Sequence, residues 1–110
     1  MNLKKLPGDF TLLPEMYADS YFPNFLVDKV RDRIMGTVSF IEGGSHSTGE
    51  IQAAFDQMTL DINDLQEAFD ENDSEIETVA RDSIGETVRR ILLFFDIDID
   101  VEEAIRERDW

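Results

Sequence analysis

The chain has no cysteine, one histidine, one tryptophan and three prolines in 110 residues. Without cysteine there is no disulfide framework, no thiol nucleophile and no thiolate metal ligand, and a reducing compartment fits. The single histidine, His46, lies in the stretch Gly43-Gly44-Ser45-His46 and not in a helical Glu-x-x-His pattern, so a di-iron bundle is excluded. Ser45, His46 and Ser47 are loop neighbours, which do not by themselves make a nucleophile-base relay, and His46 is expected to be an exposed loop residue. The longest apolar run, Ile91 to Phe95, is far short of the ~20 residues a membrane span takes. Met1-Asn2-Leu3-Lys4-Lys5 begins as an export signal would, but Pro7, Gly8 and Asp9 interrupt before an apolar stretch forms. The expectation is a soluble, cytoplasmic protein with no membrane partner.

Positive charge is also missing from the middle of the chain. No Lys or Arg occurs from Ile34 to Ala80, where eleven acids stand: Glu42, Glu50, Asp56, Asp61, Asp64, Glu67, Asp70, Glu71, Asp73, Glu75 and Glu77. The first 33 residues balance five bases with five acids and the last 30 hold five bases against nine acids, so this block carries most of the net charge of −15. Such acidity disfavours nucleic acid and anionic membranes, whose binding needs basic groups that displace counterions. Cations, or proteins with a basic face, are its complement. A hydrophobic content of 42% with eight Phe argues for a folded chain despite the charge, and 110 residues suffice for one domain, 1–110, around one core.

Four helical segments are legible behind an irregular arm. The arm, 1–22, mixes Pro7, Gly8 and Pro14 with Phe10, Leu12, Leu13, Met16, Tyr17, Tyr21 and Phe22, and is expected to pack its aromatics on the rest. Pro23 suits a helix start, and Leu26, Val27, Val30, Ile34, Val38 and Ile41 recur at three- and four-residue spacing until Gly43-Gly44, predicting a helix over 23–42. Ser47 and Glu50 form a capping-box pattern ahead of a helix over 48–71, whose seam Ile51, Phe55, Met58, Ile62, Leu65 and Phe69 is narrow and regular. Ser74 and Glu77 repeat the capping pattern for a helix over 75–95, in which Glu77–Arg81 and Glu86–Arg90 are i,i+4 pairs. Asp96-Ile97-Asp98-Ile99-Asp100 reads as an extended link with inward isoleucines, and Asp100 caps a last helix over 101–108. Short connections predict an all-α, compact antiparallel bundle of three long helices, with the short C-terminal helix and the arm added. Gly36 and Gly85 fall inside helices and mark either tolerated drift or a close helix crossing.

The second long helix carries the functional expectation. At 100° per residue Asp56, Asp64, Glu67, Asp70 and Glu71 lie opposite its apolar seam. Asp64 with Glu67, Glu67 with Asp70 and Glu67 with Glu71 are like-charge neighbours, and Asp70 and Glu71 also stand at the end where the helix dipole prefers cations. A face held against several small penalties points to a protein partner, while solvation of a charge run is the plain alternative. Asp96, Asp98, Asp100 and Glu107 match positions 1, 3, 5 and 12 of a Ca²⁺ loop, but Val101 replaces the turn glycine and Glu103 an apolar position. Asp64-x-x-Glu67 resembles one half of the paired carboxylates of all-α nucleotide pyrophosphatases, without a second acidic pair or a basic cluster for phosphates.

Two stretches, MYADSYFPNFLVDKVRDRI over 16–34 and ETVARDSIGETVRRILLFFDIDIDVEEAIRERDW over 77–110, resemble a family of small acidic bacterial proteins known as a domain of unknown function. Tyr-Phe-Pro ahead of the first long helix and Arg-Asp-Trp at the C-terminus carry the resemblance. It implies a bacterial, cytosolic protein and assigns no catalytic residue and no cofactor. The expected function is a non-enzymatic acidic interaction module that binds a basic protein, an immunity or antitoxin-like protein being one instance and a homodimer the nearest variant. The alternative is a divalent-cation-dependent enzyme or cation-binding protein using Asp96, Asp98 and Asp100 or the helix carboxylates.

Overall fold

A computed structural model describes residues 4–110. Among these the chain is all-helical, without a strand: α1 Pro14–Ala18, α2 Asn24–Glu42, α3 Thr48–Asp64, α4 Gln66–Glu71, α5 Thr78–Phe94 and α6 Val101–Ala104. Three of the six are long, and the first three positions of the expected arm lie outside the described residues. α2 packs against α3, α1 touches both α2 and α5, and α6 touches both α3 and α5.

α2 follows directly from its sequence spacing. Leu26, Val27, Val30, Ile34, Val38 and Ile41 are buried along one face, while the Pro23 carbonyl accepts the first helical bonds from Leu26 and Val27. At its other end His46 departs from the expected exposed loop residue. Its ring stacks on Phe40 at 3.9 Å between centroids, and Nε2 donates to the Phe40 carbonyl at 2.8 Å, a second bond to an acceptor that the Gly43 N–H also reaches.

The helix expected over 48–71 is two. α3 begins in the full capping box, with the Ser47 hydroxyl accepting from Glu50 N–H and the Glu50 carboxylate from Ser47 N–H. At Leu65 the ladder tightens, its N–H turning to the Ile62 carbonyl three residues back, and α4 starts afresh. The seam crosses the break intact, since Phe55, Met58, Ile62, Leu65 and Phe69 are all buried.

The start of α5 also differs from expectation. Ser74 is not a cap: its N–H reaches the Phe69 carbonyl while Asp73 N–H reaches Asp70, which is the Schellman closure of α4. The cap is Glu77, whose carboxylate accepts from Val79 N–H. That contact occupies the side chain expected to pair with Arg81. Glu86 likewise pairs with Arg89, not Arg90, which instead donates to the Thr11 carbonyl and lies over the Phe10 ring. A second Schellman closure ends α5, from Ile97 N–H to Leu92 and from Asp96 N–H to Leu93. Asp73 and Asp96 hold the left-handed position of these closures at φ 56° and 54°.

α6 is shorter than the expected 101–108, because beyond Ala104 the backbone turns by three-residue bonds, Arg106 to Glu103 and Arg108 to Ile105. The arm packs Phe10, Tyr17 and Phe22 on the core, as expected. It buries mainly aliphatics, Leu12, Leu13 and Met16, together with Phe22, while Tyr21 is exposed and Phe10 and Tyr17 are half-buried. Neither mid-helix glycine marks a close crossing, for a Cβ at Gly36 or Gly85 would meet nothing within 4 Å.

Candidate functional site

α3 and α4 together have three working faces, and their order decides which acids are available. The first is the buried seam. The second is a polar stripe, Gln52, Asp56, Asn63 and Gln66, spaced by four, seven and three and so held on one side of the helix. This stripe receives the C-terminal segment. Gln52 donates to the Glu103 carbonyl at 2.8 Å, Asn63 donates to the Glu107 carbonyl at 2.8 Å and accepts from Asp109 N–H, and Gln66 donates to the Asp109 carboxylate.

Asp56 belongs to that stripe. Arg106 binds its carboxylate through Nε and an Nη, at 3.1 and 2.8 Å, and Gln52 adds a third bond. The Arg106 hydrogen bond holds the Asp56 carboxyl below its usual 3.8. With its side chain only 22% exposed, Asp56 is a clamp for the chain's own C-terminus and stands apart from the other four acids of the expected site.

The third face is open. Asp64 ends α3, and Glu67, Asp70 and Glu71 stand on α4, all four exposed. Among the described residues none of these carboxylates has an ion-pair or hydrogen-bond partner. Two other acids are engaged locally: Glu50 is drawn below its usual 4.5 by the Ser47 backbone N–H, and Glu86 by Arg89. Burial and then the Asp28 hydrogen bond push the Tyr17 hydroxyl up to about 12.

The three aspartates of the cation reading are used separately. Asp96 closes α5 and pairs with Lys4 at 2.8 Å, Asp100 caps α6 through Glu102 N–H, and Asp98 is exposed between them. Glu107 faces Arg106 instead of joining them. Among the described residues no group of three His, Asp or Glu stands where it could hold one metal ion. No described helix is long and apolar enough to cross a membrane.

Sequence reasoning missed a groove between α2 and α3, of about 570 Å³, that opens beside the acidic face. Gly36 on α2 and Ala53 and Ala54 on α3 line it, and Phe40 stands at one end. Its signal in the sequence was the coincidence of a mid-helix glycine with an Ala-Ala pair off the apolar seam.

No curated protein and no solved structure matches the chain. A family match does run from residue 7 to residue 110, so the α3–α4 acids, which lay outside the two stretches of resemblance, fall inside it. On that match the chain belongs to the family described as "Family of unknown function (DUF5713)".

Proposed function

We propose that the protein is a non-enzymatic interaction module that presents Asp64, Glu67, Asp70 and Glu71 to a basic surface of another protein. The observation that carries this reading is the contrast along the consecutive helices α3 and α4. Asp56 is engaged by Arg106, while four acids beyond it stand without a counter-ion among the described residues, although like-charge spacing acts against them and the α4 dipole acts against Asp70 and Glu71. Three of them, Glu67, Asp70 and Glu71, are crowded into the six residues of α4. Opposite charge on a partner would relieve all of these terms together and speed association.

In this reading α2, α3 and α5 form an antiparallel bundle, for which the five-residue connection 43–47 between packed neighbours α2 and α3 gives support. An immunity or antitoxin-like role in a bacterial cytoplasm, masking a cationic toxin or nuclease, is one form the module would take. The test compares affinity capture by the wild type and by a variant with Asp64, Glu67, Asp70 and Glu71 all changed to Lys, after circular dichroism confirms that the variant folds. Retention of a basic protein by the wild type alone supports the reading. Equal capture by both would return the acids to a solvation role.

A further inference from the structure

The groove between α2 and α3 is apolar where it is deep and acidic where it opens. Met58 is its buried floor, Gly36, Ala53 and Ala54 line it toward the surface, and Phe40, 39% exposed, stands at one end. The Phe40 ring is backed by the His46 stack, so the end wall is held in place by the fold and not left to swing in solvent. Asp32, Glu50 and Asp61 stand around the mouth with Arg33 as the one base in the lining, and Asp64 follows Asp61 on the next turn. Small residues keep the two helices from filling the space between them. Gly36 is not needed for the contact itself, since a Cβ there would meet nothing within 4 Å.

Among the described residues neither the arm nor the C-terminal segment lines this groove. The arm is bonded to α5 through Phe94, Thr87 and Arg90 and to the two ends of α2 through Glu42 and Asp28, and the C-terminal segment occupies the Gln52–Asn63 stripe on another face of α3. A second copy is also a poor occupant, because it would bring a net charge of −15 against an acidic mouth. An open furrow between two helices suits a segment that brings its own cover, as an amphipathic helix does when it lays an apolar stripe into a groove. We propose that the α2–α3 groove receives a basic amphipathic helix of a partner protein, with bulky apolar side chains against Gly36 and Ala54 and Lys or Arg on the acidic mouth. The proposal rests on the basic-partner reading and assigns that partner a second, apolar point of attachment.

The test uses an amphipathic Leu/Lys peptide of about 16 residues, long enough to hold a helix on a surface, and a permuted peptide of the same composition without a helical stripe. Binding to the full chain is followed by amide chemical shifts. Three proteins are compared: wild type, Gly36→Leu, which fills the groove from a position with free space, and the four-Lys variant of Asp64, Glu67, Asp70 and Glu71. The expected result is saturable binding of the amphipathic peptide, shifts centred on Gly36, Ala53 and Ala54, and about tenfold weaker binding by Gly36→Leu. Unchanged affinity in Gly36→Leu together with loss in the four-Lys variant would overturn the groove and leave the acidic face. Loss in Gly36→Leu with retention in the four-Lys variant would uphold the groove and count against the face. Equal binding of the permuted peptide, or no saturable binding by either, would overturn the groove.

Discussion

The aspartates show how one residue type does opposite things to stability according to where its carboxylate points. Asp56 is held below its usual ionisation range by Arg106, so its contribution is complete at pH values above the unfolded value and is lost as pH falls through the depressed folded one. Asp56→Asn is therefore expected to destabilise by about 0.5–1 kcal/mol near neutrality, the range for a pair whose Arg side is well exposed. Urea unfolding at pH ~7 and again at pH ~2.5 checks this, because the gap between wild type and variant should close on acidification. A gap that stays constant would mean that the amide loses packing and not charge. Asp73 works in the other direction. It occupies the left-handed position after α4 at φ 56°, where an aspartate is tolerated and glycine is unstrained, and its charge lies at the negative end of a helix dipole. Both terms have the same sign, so Asp73→Gly should stabilise by about 0.5–1 kcal/mol even after the extra freedom glycine gives the unfolded chain. A lower urea midpoint in the variant would show that Asp73 makes a compensating contact.

Elements are tied together here by polar stripes that lie beside the apolar seams. On α5, Ser83, Thr87 and Arg90 receive the arm: the Thr87 hydroxyl accepts from Leu13 N–H, Ser83 donates to Glu15, and Arg90 donates to the Thr11 carbonyl. On α3 the stripe from Gln52 to Gln66 receives the C-terminal segment. The first strap is buried at its centre, Thr87 being fully inaccessible, while the Asn63 bonds of the second are exposed. Removing the Thr87 hydroxyl leaves the Leu13 N–H without a partner away from water, so Thr87→Val should cost ~1–3 kcal/mol, whereas Asn63→Ala, whose partners turn to water, should cost ~1 kcal/mol or less. Chemical unfolding of the two variants decides the order, and an Asn63 variant that falls further than the Thr87 one would reverse the account. The seams of α2 and α3 were readable because a period of three and four residues has few other causes. The straps were not, since Ser83, Thr87, Asn63 and Gln66 look like ordinary surface positions until a distant segment lies on them. The Ser74-to-Glu77 spacing misled for a related reason: the Schellman closure of α4 uses Ser74 N–H first, and a cap then forms three residues later. The acidic positions themselves were legible, but the separation of Asp56 from the other four depends on Arg106, 50 residues away.

Across the whole molecule, the question is whether an excess of 15 negative charges is a burden the fold tolerates or a surface it holds for a partner. Changing Asp64, Glu67, Asp70 and Glu71 to Gln removes four negative charges, taking the net charge from −15 to −11, and removes like-charge neighbours together with two acids from the end of α4. Each such term is a few tenths of a kcal/mol, so the variant should be more stable than the wild type by ~1 kcal/mol at low ionic strength. NaCl screens the same repulsion. The wild-type melting temperature should therefore rise with salt more steeply than that of the variant, and the two should converge as the Debye length falls to a few ångströms near 1 M. Mg²⁺ or Ca²⁺ at matched ionic strength separates screening from binding, because a ligand of the native state adds stability by mass action beyond the salt effect. With the aspartates at 96, 98 and 100 used apart from one another, the divalent and monovalent curves should coincide at equal ionic strength. A stabilised variant that has also lost its basic partner would show that the four acids are kept at the expense of the fold. A variant no more stable than the wild type would show that solvent already screens them, and the repulsion assigned to this face would then be too weak to argue for a partner.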